Sequence, residues 1–228
     1  MKKNNTNTRR LALAFLITII AGGSLSATSF HLGGGYSYTR MDYAFSNPMN
    51  EEKVEGKGSE HEATINTALY MGRNDNFGLG LDLNFRIPSK NSYENYEASE
   101  MIPWGIGANL SMISRTPFIS SGNFGMHTKL GAGLTYRKSN ASAYPVIHEG
   151  ADKIEDMGIN LLTGIGLYMD IAEKVSITAG IDFNVMLTRF YKASGSKGVE
   201  NFNTPNWLEF NDVTGHETRG YVAVSYIF

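Results

Sequence analysis

The feature that most constrains this chain is a side-chain alternation of period two, sustained over segments longer than a soluble strand needs. Between residues 174 and 190, Val175, Ile177, Ala179, Ile181, Phe183, Val185 and Leu187 share one parity, and Ser176, Thr178, Gly180, Asp182, Asn184, Met186 and Thr188 share the other. Phe77, Leu79, Leu81, Leu83, Phe85 and Ile87 alternate in the same way with Gly78, Gly80, Asp82, Asn84 and Arg86. Met157, Ile159, Leu161, Ile165, Leu167 and Met169 face away from Asp156, Gly158, Asn160, Gly164, Gly166 and Asp170. A helix would scatter each set around its circumference, whereas a strand gathers it on one face. The pattern predicts eight strands, at about 30–43, 60–71, 77–87, 101–113, 124–137, 155–170, 174–190 and 215–228. Most reach the ~9–11 residues of a tilted membrane-crossing strand, about twice the usual soluble length.

The predicted connections alternate as well. Residues 72–76, 114–123 and 171–173 form the short or turn-rich links, and the long polar loops fall at about 44–59, 88–100, 138–154 and 191–214. Short turns at one end and long loops at the other suit a closed up-and-down membrane barrel. Four such loops would be out of place in a compact soluble domain. A mean hydropathy of -0.23 excludes a helical membrane bundle but not a barrel, whose alternating strands average out to a soluble-looking composition.

The first residues read as an address. Lys2, Lys3, Arg9 and Arg10 precede the apolar run Leu11 to Ala21, which is about half the length of a spanning helix. Small residues follow at signal-peptidase spacing, so residues 1–26 are expected to be a secretory signal peptide cleaved near 26–29. Residues 27–228 then form the barrel domain. Losing four of the 20 basic residues leaves 16 against 22 acids, a net charge of −6 and no basic footprint for nucleic acid. Cysteine is absent, which removes disulfides, thiol nucleophiles and lipidated Cys from consideration.

Whether the apolar face points in or out decides between a lipocalin-like soluble barrel and a membrane barrel. The polar parity carries charges interleaved with glycine, a small-and-large alternation that fills the interior of a narrow barrel. Glu62, Asp82, Arg86, Lys129, Arg137, Asp170, Asp182, Glu217 and Arg219 are accordingly expected in the lumen, with His127 and Asp156 on the same parity. Aromatic residues on the apolar parity fall in two rows. Phe30, Phe77 and Phe124 stand toward the short turns, with Tyr226 and Phe228, and Phe85, Trp104 and Tyr136 toward the long loops, as interfacial girdles do. The final strand ends at Phe228 with no tail, so it can pair with the first strand and leave no open edge. In the first strand, Phe30, Leu32, Tyr36 and Tyr38 keep one parity, but Arg40 and Asp42 share it. Either these two stand above the membrane or a bulge near Gly33-Gly34-Gly35 shifts the register.

The closing strand Gly220–Phe228 resembles the C-terminal insertion signal of bacterial outer-membrane barrels, which implies that Tyr226 and Phe228 are read by the barrel-assembly machinery. The run from Thr163 to Asn184 resembles the strand–turn–strand repeat of the OmpX-like and opacity-type eight-stranded barrels. The likeness implies an outer-membrane location, lipid as the surrounding partner, and exposed loops able to meet host or surface ligands. The related OmpW-type barrels are a second resemblance. Some of those carry apolar small molecules, from which a charged lumen departs.

Among the five histidines, His31, His61, His127, His148 and His216, no HExxH or comparable metal spacing occurs, and no cofactor is implied. His127, with Lys129 two residues on, is the best placed for chemistry, yet reads first as a lumenal hydrogen-bonding residue. There is no GxSxG elbow or close Ser/His/acid grouping, so an enzyme is not expected. The favoured reading is a structural or surface-interacting outer-membrane protein whose lumen is an ion-paired plug. The alternatives are a narrow channel for ions or small solutes, a soluble periplasmic barrel binding an apolar ligand, and a lipid-modifying enzyme. In the fourth loop, Phe202, Trp207, Leu208 and Phe210 could meet a ligand or fold over the barrel mouth.

Overall fold

Each alternating segment is an extended strand, and the eight long strands pair edge to edge until the last meets the first. The computed structural model describes residues 27–46, 53–71, 75–87, 91–93, 104–140, 153–171, 173–194, 208–209 and 214–228. The elements are β1 (Ala27–Ser46), β2 (Lys53–Met71), β3 (Phe77–Ile87), β4 (Asn91–Tyr93), β5 (Trp104–Pro117), β6 (Phe124–Asn140), β7 (Lys153–Ile171), β8 (Val175–Ser194), β9 (Leu208–Glu209) and β10 (Thr214–Ile227). All pairings are antiparallel, in the order β1-β10-β8-β7-β6-β5-β3-β2, and β2 returns to β1. The segments β4 and β9 are short additions beside β2 and β8 at the long-loop end. The proposed signal segment, the tip of the first loop and most of the other three lie outside the described residues, as do His148, Phe202, Trp207 and Phe210.

Closure follows from the two chain ends. Leu32 pairs with Tyr226 and Tyr36 with Val222. The terminal Phe228 amide donates to the Phe30 carbonyl at 2.8 Å. With every long strand paired on both sides, backbone groups need no water along the wall, which is the condition for crossing hydrocarbon.

The alternation turns the apolar side outward. Ile181, Phe183, Val185 and Leu187 project from the wall of β8, each about half exposed, while Asp182 between them is fully buried. Leu110, Leu130, Leu161 and Val224 continue this apolar exterior on neighbouring strands. Such an exterior is stable against acyl chains and not against water.

The strands run further than the alternation alone predicts. β2 begins at Lys53 rather than near 60, β5 continues to Pro117, and β8 to Ser194. In β1 the register shift lies between Ala27 and Ser29, and pairing with β2 is unbroken from there to Ser46. There is therefore no bulge near Gly33-Gly34-Gly35, and Arg40 and Asp42 do face outward at the long-loop end. A shift does occur elsewhere. Ile159 pairs with Thr188 and Asn160 with Met186, leaving Leu187 as an extra residue on β8. Below this bulge Asp182, Asn184 and Met186 point inward, and above it Arg189 and Tyr191 do. One inserted residue reverses the parity of everything beyond it.

The orientation of the wall gives a direct test. Ile181→Arg, which puts a cation on the apolar exterior, should cost about 2–4 kcal/mol of stability in urea unfolding from lipid vesicles. A change near zero would mean that this face does not meet lipid.

Candidate functional site in the barrel lumen

The inward parity brings together residues far apart in sequence. Four cations and five carboxylates form one connected set: Arg86, Lys129, Arg137 and Arg219 with Glu60, Glu62, Asp82, Asp182 and Glu217. All nine are buried. Nearest the long loops, Arg86 donates to Glu60 and, at 3.4 Å, to Glu217. Arg137, on the other side of the lumen, donates to Glu217 at 2.7 Å and lies 3.4 Å from Glu60. The next layer holds Arg219, which donates to Asp182 and, at 2.9 Å, to Asn84 Oδ1. Lys129 Nζ stands 3.5 Å from Asp82 and 3.8 Å from Asp182.

Glu62 links the layers, 3.6 Å from Arg86 and 3.8 Å from Arg219. It also accepts hydrogen bonds from Thr39 Oγ1 at 2.9 Å and Ser37 Oγ at 3.3 Å. Asn66 donates to Asp82 at 2.8 Å, and Asn184 to Glu217 at 3.3 Å. An isolated buried ion would cost several kcal/mol, so this set is tolerable only because pairing and neutral donors are shared around it. Glycine makes room for it. A β-carbon at Gly180 would lie 2.7 Å from the Tyr221 hydroxyl, and one at Gly166 2.8 Å from His127 Cε1.

His127 is buried, and its Nε2 is hydrogen-bonded to the Tyr221 hydroxyl. Lys129 Nζ sits 4.2 Å above the Tyr221 ring. Beside them is a small space of about 50 Å³, bordered by Asn66, Asp82, His127, Lys129 and Tyr221 and by the apolar Tyr70 and Ile113. It is lined by both polar and apolar groups and is of a size to hold water. Among the described residues no group of three or more histidines or carboxylates is placed to hold a metal ion.

Asp170 does not join the central set. It lies toward the short turns, where Arg115 Nη2 donates to its two oxygens at 2.8 and 2.7 Å and Ser176 donates at 2.6 Å. The Arg115 guanidinium lies 3.5 Å from the Tyr168 ring centre and 5.1 Å from that of Tyr70. At the other end Arg189 grips Asp156, with Nη2 to Oδ2 at 2.8 Å and Nε to Oδ1 at 3.3 Å. Sequence reasoning misses Glu60, Arg115 and Arg189. Arg115 falls in a segment predicted as a link, and Arg189 stands on the apolar parity until the bulge at Leu187 turns it inward. Glu60 shares the parity of Glu62, and that alone is a signal sufficient to find it.

On the outside, aromatic residues stand near both ends of the wall. Phe30 and Phe228 lie 5.8 Å apart near the short turns, where Tyr226 packs edge-on to Phe228 at 4.8 Å. Phe77 projects there too, and Phe124 packs on Phe118 in the adjoining turn. At the long-loop end Trp104 and Tyr136 meet at 5.9 Å, and Phe85 points outward.

No protein-family model matches this sequence, and no curated protein sequence matches it. Solved structures do share its fold. The outer membrane protein OprG from Pseudomonas aeruginosa is 12% identical, covers 89% of this chain and 97% of its own, and gives a TM-score of 0.58. A major outer membrane protein from Thermus thermophilus is 8% identical over 86% of this chain and 99% of its own, at 0.50. Neisserial surface protein A is 14% identical, over 86% and 96%, at 0.47. The first two show that the fold is that of outer-membrane barrels. An apolar exterior around a closed, charged interior makes the chain a transmembrane β-barrel of the bacterial outer membrane.

Asp182 lies beside two lumenal cations, Arg219 and Lys129. Asp182→Ala should lower the unfolding free energy in vesicles by about 3–5 kcal/mol, since it strands buried charge. Asp182→Asn, which keeps the shape, should lose less. Equal and negligible losses would mean that the lumen is hydrated enough to leave its ions independent.

Proposed function

We propose that this protein is a structural, surface-interacting component of the outer membrane, exported by residues 1–26. In this reading the barrel is a rigid, plugged scaffold and the long connections meet ligands outside the cell. The observation that carries it is the connected set of ion pairs, which reaches from β3 and β6 to β8 and β10 across the lumen. An eight-stranded barrel is only wide enough for its side chains to fill. Here the filling residues are locked to one another in successive layers. The role is non-catalytic, and the surrounding lipid and the barrel-assembly machinery, reading Tyr226 and Phe228, are its obligatory partners.

Two measurements test this reading. In a planar bilayer the purified protein should give no reproducible unit conductance. A steady conductance altered by Arg86→Ala or Asp82→Ala would establish the narrow channel instead. Protease added to intact cells should cut within 195–213 and spare 171–174. The reverse pattern would invert the orientation on which the surface role depends.

A further inference from the structure

The lipid-facing wall made by β5, β6 and β7 is not smooth. Across its strand pairings large outward residues stand opposite small ones: Leu134 opposite Ala108, Leu110 opposite Ala132, and Leu130 opposite Thr163. Leu110, Leu130 and Leu134, at 55%, 56% and 53%, are among the most exposed large side chains of the barrel. Two open hollows lie among them. The upper, of about 390 Å³, is apolar, with Ala108 framed by Leu83, Ile106 and Leu134. The lower, of about 500 Å³, is framed by Met112, Leu130 and Phe183 and is lined by Ser114, Thr128 and Thr163.

Hydroxyls on such a wall need a partner, since one left unbonded in hydrocarbon costs free energy. On β2 the hydroxyl of Thr67 finds one, donating to the Leu81 carbonyl at 3.0 Å. Acyl chains could fill the lower hollow, but they bring nothing for its three hydroxyls to bond. A second copy of the wall brings both the filling and the partners. A hydroxyl donates and accepts, so the same set on a facing copy is complementary to itself.

The shape is self-complementary too. Under a two-fold axis along the membrane normal, each residue faces partner residues at its own depth. Strand pairing sets Leu134 beside Ala108 and Leu130 beside Thr163, so each leucine is nearly level with a hollow of the facing copy. Close packing and hydrogen bonds are the forces that associate protein surfaces in lipid. The outward charges of this wall do not oppose contact. Lys138 and Glu155 stand above the upper hollow and pair with each other at 3.4 Å, and Lys153 lies further out, at the start of β7.

We propose that two copies of the barrel associate through the β5–β7 wall, with Leu130 and Leu134 of each seated in the hollows of the other. The inference rests on this wall lying in the bilayer. The chain has no cysteine, so a single one at Ser120, in the turn between β5 and β6, can carry a donor or acceptor dye. In vesicles of phosphatidylethanolamine and phosphatidylglycerol, energy transfer between labelled barrels should stay above the random-mixing level as lipid is added. Ala108→Leu and Thr163→Leu each fill a hollow and keep the wall apolar, and each should weaken association about tenfold. Val222→Ala, on the β10 wall, should leave it unchanged. Unheated gel mobility reports the folded barrel, and flotation with the vesicles reports insertion. A folded, floating barrel whose transfer never exceeds random mixing would mean that acyl chains fill the hollows, and this inference alone would fall. Loss of flotation would overturn the membrane reading along with it. Transfer unmoved by both filling substitutions, or lowered equally by Val222→Ala, would also overturn the proposal.

Discussion

Everything in this structure depends on leaving no backbone amide or carbonyl unpaired in hydrocarbon. An unsatisfied group there costs several kcal/mol, so a sheet can cross a bilayer only if its first and last strands meet. The contact between β1 and β10, sealed at the base by Phe30 and Phe228, meets that condition. Closing eight strands then fixes the rest. It makes a cylinder too narrow to hold bulk water and forces alternate side chains to choose between lipid and a crowded interior.

The interior solves a problem that closure creates. Side chains facing a narrow lumen cannot all be large, and the glycines opposite Tyr221 and His127 give way to them. Nor can they be ionic without partners, and each charge in the central set lies beside an opposite charge on another strand. Buried ion pairs are a weak source of net stability, but removing one member is costly. That asymmetry makes the lumen a specification of register. Were β10 to slip by one residue against β8, Arg219 would leave Asp182 and point to lipid. The same pairing that fills the barrel therefore fixes which residues of each strand can face it.

Much of this was legible in the alternation. Asp182 and Arg86 share one face and Ile181 and Phe85 the other because period two admits only two faces. What escaped has specific physical causes. Arg189 follows Leu187 on the apolar parity, and only the pairing of Asn160 with Met186 shows that a residue has been looped out. Arg115 follows a serine and precedes Thr-Pro, a composition that reads as a turn, although β5 runs on to Pro117 through pairing with β6. Residues 53–59 are rich in charge and glycine, and strand pairing with β1, not local propensity, holds them extended. In each case the deciding contact is with a partner strand, which a single segment does not contain.

The central claim is that apolar side chains meet acyl chains and charged ones meet each other. The chain has no cysteine, so single cysteines can be placed along β8 and spin-labelled without background. In vesicles, collision with oxygen dissolved in the lipid should be high at 181, 183, 185 and 187 and low at 182, 184 and 186. Beyond the bulge the pattern should reverse, low at 189 and 191 and higher at 190. High lipid contact at 182 and 184, or an alternation running unbroken through 191, would contradict the account.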